Sequence, residues 1–169
     1  MKVVKDSMVL INLAKITLLE TSCDHFRKVI IPIGVFEETI LAGKEKGMGD
    51  VLTIEKLIEI KKIIVKKVND GNLLKMAFEF NIYGGEAESL ALYKQEKADL
   101  LISDDYNLRK KKVLVGANIV GSLAIISELR KLNKISKSKF VSSIEKMREV
   151  GWFSNSVLDK VLMDGEKHG

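Results

Sequence analysis

The chain has 169 residues, enough for one hydrophobic core without covalent staples and too few for two comfortable domains. Hydrophobic residues make up 46% and charged residues 30%, an ordinary globular balance, and no stretch approaches the roughly 20 apolar residues that a membrane-spanning helix needs. The net charge of +5 and pI near 9.2 favour an anionic partner, although a lysine-rich surface is by itself most often only a solvated face.

Cysteine and the N-terminus narrow the class further. Cys23 is the single cysteine, so it has neither a disulfide partner nor a CxxC companion for zinc, and the expected setting is reducing and cytoplasmic. MKVVKDSMVLINLAK places Asp6 and Asn12 inside what would be the apolar centre of a signal sequence, which argues against export.

Taken in order, Val3-Val4 predicts a short strand and Asp6-Ser7 a helix cap. Val9, Leu10, Leu13, Ile16 and Leu19 at helical spacing then predict one helix, with His25 in a loop after it. Val29-Ile30-Ile31 predicts a second strand, and Pro32 its exit into a helix carrying Val35, Phe36, Glu37, Glu38 and Ile40. Ala42 to Gly49 is a glycine-punctuated loop. Val51, Ile54, Leu57 and Ile58 mark a helix before the strand Ile63-Ile64-Val65.

Asn69-Asp70-Gly71 is a turn signal, and Leu73 to Phe80 a helix with Leu74, Ala77 and Phe78 facing inward. After Gly84-Gly85 comes GGEAESLALYKQEKADLLISDD: a helix with two glutamates near its start, a short strand buried on both faces, then Asp104-Asp105. The basic run Arg109-Lys110-Lys111-Lys112 follows, with Gly116 as a helix C-cap and a last strand near Asn118-Ile119-Val120.

From Ser122 the pattern is wholly helical, with apolar faces Leu123/Ile126/Leu129, Phe140/Ile144/Met147 and Val157/Val161/Leu162. Ser136 and Ser154 are N-cap candidates, Gly151 a stop, and Trp152 and Phe153 packing anchors. Alternating strands and helices predict a three-layer α/β/α sandwich on a parallel sheet, in a single domain over 1–169. Its core spans about 1–132 and a helical extension about 133–165.

The chemistry lies in where the acids fall. Open parallel sheets bind ligands at the carboxyl ends of their strands, where Asp6 and Asp104-Asp105 follow strands and Glu38 and Glu86 lie on helices able to abut the same edge. Such a cluster repels itself and calls for a proton or a divalent cation. Oxygen donors without His or Cys select Mg²⁺ or Mn²⁺. Neither His25 nor His168 is placed as a general base, so metal-assisted attack of water on a phosphodiester is the expected chemistry. Glu86 and Glu88 each have the plain reading of complementing a helix N-terminus, and Asp6 that of a cap.

DSMVLINLAKITLL, VIIPIGVFEETI, GGEAESLALY, LLISDDYNLRKKK and NIVGSLAII together resemble the PIN-domain superfamily, most closely the prokaryotic group related to VapC toxins, over nearly the whole chain. The resemblance implies a Mg²⁺- or Mn²⁺-dependent ribonuclease, a cognate antitoxin as partner, no membrane, and a possible homodimer. It places the first acid on Asp6 with Ser7 beside it, the second on Glu38, the third on Glu86 or Glu88, and the fourth on Asp104 or Asp105. Asp6, Glu38, Glu86 and Asp104 are thus the catalytic set, with Glu88 and Asp105 as further metal ligands. Ser7, Ser103, Arg109, Lys110, Lys111 and Lys112 are expected to contact RNA, Arg109 having the equal alternative of pairing with an acid. Two other readings are a non-catalytic PIN-like binding module and a receiver-type phosphorylated switch; the latter needs paired acids after the first strand, where only Asp6 stands.

Overall fold

The computed structural model describes residues 1–45, 49–150 and 153–167. The first half runs β1 (Lys2–Lys5), α1 (Ser7–Lys15), α2 (Leu19–His25), β2 (Lys28–Pro32) and α3 (Ile33–Phe36), then a π-helical turn (Glu37–Leu41), α4 (Ala42–Glu45), α5 (Asp50–Glu59) and β3 (Ile63–Lys66). The second half runs α6 (Gly71–Glu79), α7 (Gly84–Gln95), β4 (Leu100–Ile102), α8 (Tyr106–Lys110), β5 (Ile119–Val120), α9 (Ser122–Lys131), α10 (Lys137–Val150) and α11 (Asn155–Glu166). No helix among the described residues is long and apolar enough to cross a membrane.

The strands form one parallel sheet in the order β3-β2-β1-β4-β5. Chain progression reverses between β1 and β4, which makes that junction the topological switch point where open α/β sheets form a crevice. The register pairs Lys5 with Ile102, and the Asp6 N–H donates to the Ile102 carbonyl at 3.1 Å. Asp6 therefore leaves β1 level with the residues that leave β4.

Alternation along the strands divides the core in two. Val3, Val29, Ile31, Leu100 and Ile102 face a layer containing Leu10 and Leu13 of α1, Ile54 and Leu57 of α5, and Ile126 of α9. Val4, Ile30, Leu101 and Ile119 face Ala77, Leu90 and Leu108 of α6, α7 and α8. The sandwich is thus α/β/α, with both sheet faces covered as a parallel sheet requires. Phe140, Ile144 and Met147 of α10 and Leu158 of α11 join the first of these clusters, so the C-terminal helices pack into the same core as the sheet.

One core position is ionisable. Lys5 is fully buried, its Nζ donating to Ser22 Oγ at 2.6 Å and lying 5.6 Å from the Phe26 ring centroid. Burial pushes its pKa down, because the charged form loses its hydration.

Several local expectations need correction. The helix drawn from Val9 to Leu19 breaks after Lys15, where Thr17 adopts φ 58° and lets α2 fold back, so His25 ends a helix instead of lying in a loop. Ala42 to Gly49 is not all loop, since α4 occupies its first half. Phe78 is 45% exposed and stacks on Tyr83, leaving the buried Ala77 and the partly buried Leu74 facing inward from α6. In α11 Leu158 is buried and Val157 is not. Gly116 caps no helix: α8 stops at Lys110, and Gly116 at φ 57° closes a later turn. Ser136 does cap, its Oγ accepting from the Lys139 N–H, whereas Ser154 precedes α11 without a side-chain cap bond. Gly151, Trp152 and His168 lie outside the described residues.

The α10–α11 contact is close enough to test. A methyl at Gly165 would fall inside the van der Waals surface of the fully buried Phe140 ring. Gly165→Ala gains about 1 kcal/mol of helix propensity and loses about 1–3 kcal/mol to overpacking. The expected outcome is a thermal midpoint lowered by a few degrees at this chain length. A raised midpoint in a melting experiment would contradict this packing.

Candidate active site at the carboxyl edge of the sheet

Asp6 is the centre of the site. It is 3% exposed and N-caps α1, its Oδ1 accepting from the Val9 N–H at 2.9 Å. The sequence offered cap or ligand as alternatives, and the cap uses one oxygen. Burial pushes its pKa up to about 7, with repulsion from Asp104 and Glu86 adding to the rise and hydrogen bonds from Ser103 and the Val9 N–H opposing it.

The two aspartates after β4 diverge. Asp104 turns toward α1 and α9: Oδ2 accepts from Asn12 Nδ2 at 3.1 Å and Oδ1 from the Ser122 N–H at 2.7 Å. It thereby serves the first turn of α9, whose N-cap Gly121 has no side chain to do so. A Cβ there would sit 2.9 Å from Asp104 Oδ1 and 3.2 Å from Arg109 Nη1, so either side chain would have to shift to admit one. Asp105 turns the other way and N-caps α8, accepting from the Leu108 N–H at 2.6 Å while its own N–H donates to Ser103 Oγ. Ser103 is fully buried between them and Ser7 is nearly so.

Glu86, in the first turn of α7, lies on the far side of Asp6. Its pKa is raised, first by burial and then by repulsion from Asp105 and Glu38. Glu38 arrives on the π-helical turn, where the Thr39 hydroxyl donates to the Val35 carbonyl at 2.7 Å, a back-bond that deforms the helix there. Glu38 is exposed, and a Cβ on Gly85 would lie 3.0 Å from its Oε2. Glu88 points elsewhere, accepting from the Gly34 N–H at 2.9 Å in the first turn of α3. Asp104, Asp6, Glu86, Asp105 and Glu38 thus form an arc, with Glu88 spent on a neighbouring helix end.

Among the described residues no Lys or Arg forms an ion pair with any acid of that arc. Nor do three His, Cys, Asp or Glu side chains close around one point as they stand. By donor type and by uncompensated charge the arc fits a hard divalent cation. Beside Asp104 opens a cavity of about 620 Å³ walled by Arg109, Lys110, Lys112, Tyr106 and Phe153. Lys111 is not part of it, because its Nζ donates to the Phe80 carbonyl at 2.6 Å and ties α8 to the α6–α7 turn.

Sequence reasoning passed over Asn12, Gly85 and Gly121. Asn12 had left a signal, a lone polar residue on the apolar face of α1, and at 4% exposure it spends its amide on Asp104. The glycines gave none, since what excludes a side chain at each arrives from another element.

A parallel sheet with carboxylates gathered at its switch point defines an α/β protein with an acidic site of the nuclease type. The chain belongs to the PIN-domain family, whose sequence model matches residues 2–166; such domains are generally nucleases and typically use divalent metals. No curated protein and no solved structure matches it.

Asp6 carries a stability prediction with a definite sign. Between its ordinary 3.8 and about 7 the folded protein holds a proton that the unfolded chain has released. Stability therefore falls as pH rises through that window, and the whole cost is present above it. Asn caps as well as Asp does. Asp6→Asn should raise the metal-free thermal midpoint at pH 8 by several degrees and leave it little changed at pH 4. A variant less stable than wild type at pH 8 would refute the assigned burial cost.

Proposed function

We propose that the protein is a metal-dependent endoribonuclease and the toxin of a VapBC-type toxin–antitoxin pair. The observation that carries the hydrolase reading is the arc itself: a buried Asp6 raised to about 7, flanked by Asp104 and Glu86, opening beside a basic cavity and, among the described residues, ion-paired with no side-chain cation. A binding module that had abandoned catalysis would be relieved of that charge by a Lys or Arg within the arc.

In this reading Asp6, Asp104 and Glu86 hold Mg²⁺ or Mn²⁺, with Glu38 and Asp105 completing the donors. A bound ion supplies positive charge at the scissile phosphate and acidifies the attacking water. The protein's own part is positional. Asn12 and the Ser122 N–H fix Asp104, Ser103 and the Val9 N–H fix Asp6, and the Leu108 N–H fixes Asp105. Arg109, Lys110 and Lys112 attract the RNA backbone along the cavity wall, and Tyr106, 76% exposed, offers a ring on which a base can stack. Lys111 orients α8, and Glu88 holds α3 in place so that the turn behind it presents Glu38.

The toxin role rests on the likeness of the acid motifs to the VapC-related group. It implies a cytoplasmic protein whose antitoxin covers this edge.

The test is cleavage of a mixed 5′-labelled RNA pool with Mg²⁺, Mn²⁺ or EDTA, together with induced expression in a bacterial host. Wild type should cleave with either metal and not in EDTA, and should arrest growth. Asp104→Asn should lower the rate by at least about 100-fold, as expected where a charge at the reacting centre is removed, and should relieve the arrest. Salt-sensitive RNA binding with no cleavage under any condition would replace the enzyme by the binding module. Cleavage without growth arrest would remove the toxin role alone.

A further inference from the structure

We infer that the opposite edge of the sheet is a second nucleic-acid contact surface, one that binds RNA phosphates and takes no part in cleavage. The inference rests on the nuclease reading only in naming RNA as the polyanion.

The register builds this surface. Lys2 pairs with Lys28 across β1 and β2, and Val29 with Ile63 across β2 and β3, which sets Lys62 beside Lys28. Lysine therefore opens β1 and β2 and immediately precedes β3, in one row about 4.8 Å apart from strand to strand. Like charges opposed in this way are destabilising. Arg27 precedes Lys28, Lys61 precedes Lys62, and Lys97 leads into β4. Acids offset part of the charge: Glu96 lies among Lys2, Lys28 and Lys66, and Lys62 pairs with Glu20 and Asp24. Asp99 accepts from the Lys2 backbone N–H. Among the described residues Arg27, Lys61 and Lys97 form no ion pair, and all three are exposed.

Two hollows lie on this edge and share Arg27 and Lys28. One, of about 400 Å³, also has Lys2 and Lys97 in its wall; the other, of about 260 Å³, has Lys61 and Lys62. They provide concavity as well as charge.

The turns make the strongest point. Lys61 and Lys97 occupy the left-handed position that ends α5 and follows α7, at φ 61° and 48°. Each is the reversal residue of a helix C-terminus, with the next N–H reaching back to Leu57 O in one turn and Tyr93 O in the other. Glycine or asparagine is the residue of choice at such a position. Among the described residues the other three non-glycine residues at positive φ are Thr17, Asn81 and Asn133, two of them asparagine. After α5 and after α7 the chain accepts lysine instead, against backbone preference.

A phosphate backbone is the partner that fits. The cations are spread across four strands instead of meeting at one point, which suits a polyanion followed along its length. The acid edge lies one strand length away, so RNA engaged there can continue onto the lysine edge only if it is long enough to pass round the molecule.

The test measures binding of a labelled RNA of about 20 nucleotides in EDTA across a salt series, where each single-strand phosphate contact contributes a slope of about −0.7 in log K against log salt. Lys61→Gly/Lys97→Gly should fold with an unchanged or raised thermal midpoint, bind several-fold more weakly, and show a slope shallower by about 1.4. Asp104→Asn should keep the wild-type slope. With Mg²⁺ or Mn²⁺, an RNA of about four nucleotides, too short to reach both edges, should be cleaved equally by wild type and the glycine variant.

A wild-type slope in the glycine variant overturns the proposal even if cleavage is intact. A shallower slope with no cleavage by any preparation sinks the nuclease reading and leaves the second surface standing. If the double variant does not fold, Arg27→Ala carries the same comparison with an expected change of about 0.7. Salt-sensitive binding to phosphatidylserine vesicles without RNA binding would assign the edge to a membrane surface and refute the proposal.

Discussion

A carboxylate buried beside other carboxylates, with no ion-pair partner among the described residues, is the condition around which this fold is arranged. Asp6 reaches that position because β1 and β4 are adjacent, parallel and in register, so the residues that leave them emerge together at the switch point. The surroundings lessen its cost without removing it. Ser103 and the Val9 N–H hold Asp6, Asn12 and the Ser122 N–H hold Asp104, and Gly121 leaves open the space beside Asp104 that a Cβ would fill. Remaining repulsion is the kind of stored cost that functional sites carry and that packing elsewhere must offset.

The same sheet holds its two ionisable extremes in consecutive residues. Lys5 points into the layer formed with α2, where hydroxyl and aromatic neighbours stand in for a counter-ion, and Asp6 follows at the open edge. Neighbours in sequence differ this much because a strand sends successive side chains to opposite faces, and because one more residue carries the chain out of the sheet altogether. Polarity also runs along the strands, from a lysine row where they begin to an acidic arc where they end.

Much of this was legible in the sequence. Short β-branched runs between amphipathic stretches fixed the parallel sheet, and the acids that follow Val3-Val4 and Leu100-Leu101-Ile102 located the edge. Periodicity failed where tertiary packing overrode it. Thr17 breaks a helix that apolar spacing continues, and Phe78 leaves the core to stack on Tyr83 while the small Ala77 takes the contact. The π-helical turn that delivers Glu38 depends on a Thr39 back-bond that no spacing rule encodes. The partition of Asp104 and Asp105 was equally hidden, since both satisfy one motif and only the helices they meet tell them apart. The lysine row is a property of register, which joins residues dozens of positions apart.

Four carboxylates at or beside the site also hold helix starts together: Asp6 for α1, Glu88 for α3, Asp105 for α8 and, across the chain, Asp104 for α9. This gives the acids two independent reasons to persist through descent. Were the proposed nuclease activity absent, these acids would still be needed, because their loss would loosen four helix starts at once. Presence of the acidic motif therefore testifies to architecture before it testifies to catalysis. The acids of the arc without a capping duty are Glu86 and Glu38.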